Sequence, residues 1–538
     1  MLFKHEILSL KLSYKFKIWA VWPVLFAVCL IMAVGCARFA PAPRTVSDAR
    51  VPESFTLYDT STPAPDQWWA AFGSAELDGL IQEALSDNLT LRKVAARVAQ
   101  AEALAMQAGA TRWPELDASG DMSATRRRVT HDLDVSPLDA ANQQLGAFNT
   151  LLGSALGSAA GTPTGGARTP QAGVQAAQTL LDSGPDSRVT TVRHSYGFGL
   201  SSRYEVDLWG RVRAREQAAL LDLEATREDM YAAMLSLTGL VARQWLEIGA
   251  RLQELELVRE QLALNNKSIE LIELRFRNGL ATALDVFQQR QMIAQTESLI
   301  PMLEASLEAA HYELAVLLGR APQEKVMVTA SGLPDPGPLP APGVPADLLA
   351  RRPDIRAAGL QLEAADWRVS VARADRLPSL RLTASASYGA ESWSALLDNW
   401  MATLAGSVTG PVFDAGRRRA EVERARAAVN ERLAAYREQV LESLKEVETA
   451  MMRESKQAEY AQSLARERDT ARATYEQARE RYLSGVIDYL PVLTALTQLQ
   501  AAERRLLQAE HARLEQRIHL YIVLGGGWME QQLYDAED

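Results

Sequence analysis

Arg275-Phe276-Arg277-Asn278-Gly279-Leu280 returns 206 positions later as Arg481-Tyr482-Leu483-Ser484-Gly485-Val486. At the same shift Gly210-Arg211 meets Gly416-Arg417, and Leu318-Gly319 meets Leu524-Gly525. A constant offset over so long a stretch marks an internal duplication. Each copy reads helix, two strands, very long helix, turn, helix. The long helices are expected over Arg211 to Arg277 and Arg417 to Leu483, 67 residues each. At the helical rise of ~1.5 Å per residue each is about 100 Å long, more than one globular core needs. Gly279 and Gly485 supply the left-handed geometry that ends a helix tightly, so the two hexapeptides read as the turns between long and returning helices.

Upstream, Leu91-Arg92 and Trp113-Pro114-Glu115-Leu116 match Ile355-Arg356 and Leu377-Pro378-Ser379-Leu380 at a shift of 264, so the first copy carries 58 extra residues. Most of that excess is residues 134–187, rich in Gly, Ala, Ser, Thr and Pro without a sustained period, which reads as a long flexible loop.

Four strands are expected, near 116–126, 194–206, 380–389 and 402–413. Tyr196, Phe198, Leu200, Tyr204 and Val206 share one face of the second, while Ser195, Gly197, Gly199, Ser201, Arg203 and Glu205 share the other. In the third, Leu380, Leu382, Ala384, Ala386 and Tyr388 oppose Arg381, Thr383, Ser385 and Ser387. One greasy and one wet face describe either a half-exposed soluble sheet or the wall of a membrane barrel. A closed membrane barrel needs at least ~8 strands, so on the second reading several chains share one barrel.

Residues seven apart are mostly apolar in both long helices: Ala420, Ala427, Ala434 and Leu441 correspond to Ala214, Leu221, Glu228 and Leu235. Such a period predicts coiled-coil seams along these stripes. Shorter helices near 76–112 and 282–318, and near 346–376 and 487–524, are expected to stack end to end beside each long one. A solid soluble bundle explains the helices but leaves the interrupting strand pairs without a purpose. Pro491 falls within the first turns of its helix, where proline is tolerated, while Pro301 implies either a kink or a helix boundary.

The N-terminus has a basic start, an apolar stretch from Ile18 to Val34, and then Ala33-Val34-Gly35-Cys36. This resembles a bacterial lipoprotein signal, in which the cysteine is lipidated and becomes the new N-terminus. An ordinary signal peptide or a single transmembrane helix is the alternative. Cleavage removes Lys4, Lys11, Lys15 and Lys17 against Glu6, which takes the net charge from -10 to -13 and argues against nucleic acid. With only Cys29 and Cys36 in the sequence, the processed chain is expected to hold no disulfide and no free thiol. The lipoprotein signal tips the sheet toward the membrane reading.

Trp68-Trp69 with Phe72-Gly73, Leu77 to Leu85, Tyr204 to Arg211, Leu348 to Arg356 (with Arg351-Arg352-Pro353-Asp354), Phe413 to Arg417 and Tyr482 to Leu493 together carry a family likeness. Over about Trp68 to Gly525 the chain resembles the TolC-type outer-membrane factors of tripartite efflux pumps, specifically their NodT-like lipoprotein branch. The resemblance implies an α+β membrane protein: a homotrimer whose 12-stranded β-barrel, four strands per chain, continues into a 12-helix periplasmic α-barrel. It implies a lipid-anchored place in the outer membrane, a periplasmic adaptor (membrane fusion protein) and an inner-membrane transporter of the resistance-nodulation-division (RND) type. It implies no cofactor, and lipidation at Cys36. The expected organisation is a signal peptide over 1–35, a linker over 36–75, and a first efflux repeat over 76–319 with its extracellular insertion at 134–187. A Pro-rich linker over 320–345, a second repeat over 346–525 and a tail over 526–538 complete it.

Such a duct needs a gate and a docking surface at its periplasmic tip. The resemblance places both at Asn278, Gly279, Leu280 and Thr282 and at Ser484, Gly485 and Val486. Asp285 and Asp488 begin the returning helices, where threefold symmetry would turn either into an acidic ring, the alternative being that the carboxylate only complements the helix dipole. The family often places an aspartate nine residues after the second glycine; this chain has Thr494, so Tyr489 and Arg481 join the two aspartates as candidate constriction residues. Trp68, Trp69 and Phe72 are expected to pack on the helices, with anchoring at a membrane surface as the alternative. Arg351, Arg352 and Asp354 read as the polar start of a helix, with Pro353 in its first turn.

An enzyme is not expected. His5, His131, His194, His311, His511 and His519 form no metal-ligand spacing, and neither a nucleophile elbow nor a phosphate loop occurs. A lipoprotein scaffold bridging outer membrane and cell wall without conducting, and a type I secretion conduit, are the other readings of the same elements. No residue pattern names a cargo.

Overall fold

The computed structural model describes residues 67–130, 188–324 and 345–525, with short pieces at 39–42, 52, 55, 326–328, 332–337 and 339–340. The expected signal peptide, Cys36, the 134–187 insertion and the 526–538 tail lie outside the described residues. The chain divides into a helical unit, drawn from residues up to 112, 207–379 and 409 onward, and a sheet unit of residues 113–206 and 380–408.

In the helical unit α1 (Ala75–Asp87) and α2 (Leu89–Ala110) precede the long α3 (Arg211–Arg277) and its returning partner α4 (Ala283–Leu317). A single turn, Asp347–Arg351, leads into α5 (Pro353–Ala374), the long α6 (Arg417–Leu483) and its partner α7 (Tyr489–Leu524). Both long helices have 67 residues. Each is started by a carboxylate that accepts from its first backbone N–H groups. Asp207 takes those of Val212 and Arg213 at 3.0 and 2.9 Å, and Asp414 takes that of Arg418 at 3.2 Å.

Each expected short helix before a strand is broken in two. Asn88 is extended at ψ 124° because its side chain accepts from the N–H groups of Thr90 and Leu91, at 2.8 and 2.9 Å, and so caps a new helix. Arg352, at ψ 118°, precedes Pro353, whose ring bars the helical conformation from the residue before it. Helix α4 runs through Pro301, so no boundary falls there.

The breaks are where the short helices abut. The Asn88 amide donates to Leu317 O at 2.7 Å, at the end of α4, and the Arg352 guanidinium donates to Val523 O at 3.1 Å, at the end of α7. Gly319 and Gly525, both at positive φ, let those helix ends close against the breaks: a Cβ on Gly319 would lie 2.5 Å from Asp87 O, and one on Gly525 would lie 2.9 Å from Arg351 O. Asn88 and Arg352 are related by the shift of 264, whereas Leu317 and Val523 are related by 206. The two offsets meet at one repeated joint.

The main core gathers Trp68, Trp69 and Phe72, in a turn of 3-10 helix, with Leu77, Ile81, Trp245, Leu314 and Tyr521. Trp68 stacks on Tyr521 with ring centroids 5.6 Å apart, so the aromatic cluster packs on the helices. Arg352 is likewise structural, paired with Asp354 at 2.7 Å and Glu446 at 2.8 Å. A second tie, between Arg517 of α7 and Glu454 of α6, measures 2.7 Å with both side chains almost wholly buried.

The expected heptad seam needs correction. On α3, Ala214, Glu228 and Leu235 are buried and Leu221 is half-buried, but on α6 Ala420, Ala427, Ala434 and Leu441 are all exposed. Helix α6 instead buries Val422, Ala425, Val429, Val440 and Val447. Periodicity identified an apolar stripe that its own chain does not cover.

The sheet unit has strands β1 (Glu115–Thr130), β2 (Arg188–Val206), β3 (Ser379–Ala390) and β4 (Trp400–Thr409) in that spatial order, with β1 and β4 at its edges. Strands β1 and β2 pair antiparallel, as do β2 and β3. The fourth strand stops at Thr409 rather than 413, where Gly410-Pro411 follows and proline cannot donate to a ladder. Register puts Met122, Tyr196 and Ala390 in one row, and Gly120, Phe198 and Tyr388 in the next, on a single apolar face. Asp117, Ser201 and Ser385 form a row on the polar face, where Arg203 lies 3.6 Å from Asp117. The apolar face is uncovered by the described residues: Met122 is 73% and Leu404 83% exposed.

Candidate functional site

Four helix ends meet at the tip of the helical unit. Both turns close in the same way: Leu280 N donates to Arg275 O at 2.8 Å and Val486 N to Arg481 O at 2.9 Å, with Gly279 and Gly485 at φ 72° and 74°. These bonds satisfy the last carbonyls of each long helix and reverse the chain within a few residues. Beneath them Ile272, Val286, Tyr482, Tyr489 and Val492 form a small apolar cluster. The Arg275 guanidinium carbon sits 4.5 Å from the Tyr482 ring centroid, a cation–π contact joining the two copies. Burial pushes the Tyr482 hydroxyl above its ordinary pKa, with Arg275 opposing.

The four candidate constriction residues separate. Asp285 and Thr282 form a reciprocal capping box, with Thr282 N donating to the carboxylate at 2.8 Å and Asp285 N to the hydroxyl at 3.2 Å, so this carboxylate is engaged in starting α4. Tyr489 is buried in the tip cluster and its hydroxyl donates to Gln289, which takes the ring off any exposed lining surface. Burial drives that hydroxyl far above the usual tyrosine range. Asp488 is exposed at the start of α7 and makes no capping bond, and Arg481 is exposed on the last turn of α6. Among the turn residues Asn278, Gly279, Leu280, Ser484, Gly485 and Val486 are all exposed. Thr494 is absorbed by its own helix, donating to Leu490 O at 2.9 Å.

Sequence reasoning missed a buried polar ladder behind the tip. Gln289 Nε2 donates to Asn265 O at 2.8 Å, Asn265 Nδ2 to Thr296 Oγ1 at 3.0 Å, and Gln500 Nε2 to Asn265 Oδ1 at 3.0 Å. Further along, Arg504 donates to Gln261 Oε1 at 2.7 Å, and Gln508 to Glu254 at 3.1 Å. The rungs tie α7 to α3 and α4 by bonds that require registration, not by grease alone. Nothing in the sequence distinguishes these amides from solvated helix positions. No group of His, Cys, Asp or Glu suited to holding a metal occurs among the described residues.

A sheet with one bare apolar face, two duplicated helices of 67 residues and two exposed tip turns are the combination expected of outer-membrane channel subunits. No helix among the described residues is long and apolar enough to cross a membrane. Residues 80–320 and 344–526 match the Outer membrane efflux protein family, and the chain belongs to it. It is similar to the pyoverdine export outer membrane protein OpmQ of Pseudomonas putida, 33% identical over 86% of this chain and 89% of that protein. It is also similar to OpmQ of Pseudomonas aeruginosa, 31% identical over 94% of this chain and 97% of that protein. Among solved structures, the outer-membrane channel OprN superposes with a TM-score of 0.73 at 27% identity, covering 91% of this chain and 99% of that one. The CusC structure does so at 0.71 and 25% identity, with the same coverage. The chain is therefore an outer-membrane efflux protein with a four-stranded sheet and a predominantly helical body, in a family of channels and not of enzymes.

Proposed function

We propose that three copies of this chain close into a 12-stranded barrel above a 12-helix tunnel and form the passive exit duct of a tripartite, RND-type efflux pump, anchored through a lipidated Cys36. The observation that carries the reading is the sheet, amphipathic across its rows and, among the described residues, open at both edges, with Met122 and Leu404 bare on the apolar side. A membrane-spanning sheet must have every backbone group paired, and four strands cannot close on themselves. Neighbouring copies supply the missing pairs. The uncovered stripe of Ala420, Ala427, Ala434 and Leu441 gives the helices the same need.

The tip turns 278–282 and 484–488 are the adaptor-docking surface and gate. Asp488 is the carboxylate free to ring the bore, and the Gln289, Asn265 and Gln500 ladder holds α7 in its resting register. Relatives named for pyoverdine export, toluene efflux and cation efflux are similar over most of their length, which supports a duct whose cargo is chosen by its pump partners. Full-length protein purified in detergent is expected to be trimeric and to give discrete ion-conducting steps in planar bilayers. A monomer, or a trimer that never conducts, refutes the duct.

A further inference from the structure

Contacts between the two copies inside one chain have counterparts displaced by one repeat. The Arg275 guanidinium over the Tyr482 ring joins the long helix of copy one to that of copy two. Advancing each partner by one repeat turns Arg275 into Arg481, and turns Tyr482 into the copy-one position that follows it, Phe276. The displaced pair therefore has the same chemistry, a guanidinium and an aromatic ring. Both members are bare: Phe276 is 46% exposed, and Arg481 is exposed without an ion pair or side-chain hydrogen bond among the described residues.

A second pair behaves likewise. Glu254 and Gln508, joined at 3.1 Å between α3 and α7, become Tyr460 and Met302 on displacement by 206. These are large, apolar and 52% and 69% exposed. Helix packing has the same asymmetry, since α7 lies against both long helices while the main packing of its counterpart α4 is on α3 alone. The unfilled place beside α4 is where a second α6 would stand.

We propose that Arg481 stacks on Phe276 of a second copy of this chain, repeating between chains the Arg275–Tyr482 contact made within one, and that Tyr460 meets Met302 along the same seam. This rests on the ring of identical copies proposed above, and it moves Arg481 from the bore to the joint between neighbours. The contact is heterologous, presenting copy two of one chain to copy one of the next, and contacts of this kind close into rings where the rotation between copies closes. A cation held over an aromatic face at every junction gives the tip a continuous belt of guanidinium–ring pairs, alternating within and between chains.

Cysteine pairs test the contact in full-length protein in native outer membranes. With a short bismaleimide, the Phe276→Cys/Arg481→Cys chain is expected to give covalent dimers and trimers. Either single variant, and the unmodified chain with Cys29 and Cys36, should give none. The Arg275→Cys/Tyr482→Cys chain should link within itself and stay at monomer size. A protein that remains trimeric by native mass yet yields no linked species from the first pair overturns the contact and leaves the duct standing; a monomeric protein overturns both. A thermodynamic cycle guards against a misfolded cysteine variant. Arg481→Gln and Phe276→Ala should each lower the temperature at which the oligomer dissociates, and together lower it no further than either alone, whereas additive losses would overturn the pairing.

Discussion

Gly279, Gly485, Gly319 and Gly525 all have φ between 72° and 77°, yet they answer to different constraints. At Gly279 and Gly485 nothing lies within 4 Å of an added Cβ, so only the left-handed backbone selects glycine there. Forcing alanine into that region costs ~1–2 kcal/mol. At Gly319 the added carbon would also meet the Asp87 carbonyl oxygen at 2.5 Å, and this atom is fixed by the helix joint. Gly319→Ala is therefore expected to lower the thermal unfolding midpoint well beyond Gly279→Ala, as read by far-UV circular dichroism of the detergent-solubilised protein. Equal losses would show that the joint yields, and that the close approach is not what selects glycine.

Between elements, the most deeply buried of the described ion pairs is the one from Arg517 of α7 to Glu454 of α6, with Arg517 also donating to Pro336 O at 2.7 Å in the inter-repeat segment. Removing one partner strands a buried charge, which costs ~3–5 kcal/mol, whereas replacing both with apolar groups of similar volume approaches neutrality. Glu454→Gln and Arg517→Met should each destabilise by about that amount in denaturant titrations. Glu454→Met combined with Arg517→Leu should recover most of the loss. If the double variant is as unstable as the sum of the single ones, the pair does not act as a unit.

The element boundaries show how far local pattern reaches. The 67-residue helices and the shift between copies were legible because apolar spacing and turn glycines are local signals. The helix start at Pro353 was legible from its proline, whereas the break at Asn88 was not, although a capping asparagine is present in the sequence. The α6 stripe was legible as apolar, but not that its own chain leaves it exposed. A repeat of seven says that something packs there, and the packing partner is a non-local choice.

At the scale of the whole molecule, the proposed bore gives the test. Asp488 is exposed and makes no capping bond, so in the proposed trimer a threefold ring of it would attract cations. In planar bilayers Asp488→Asn should shift the reversal potential under a KCl gradient toward lower cation preference, with the oligomer unchanged in mass. Asp285→Asn, which weakens a capping box instead, should move stability and leave selectivity in place. A reversed result would exchange the roles of the two aspartates.

The sequence by itself determined the duplicated order of elements, the two-faced strands and the turns, because each depends on a period or a glycine that operates over a few residues. The tertiary structure decided what those stripes face. It withdrew Tyr489 and Asp285 into hydrogen bonds and built the amide ladder of Asn265, Gln289 and Gln500 behind the tip. An amide or hydroxyl looks alike in water and in a core until a partner stands opposite, and that partner is up to 235 residues away along the chain.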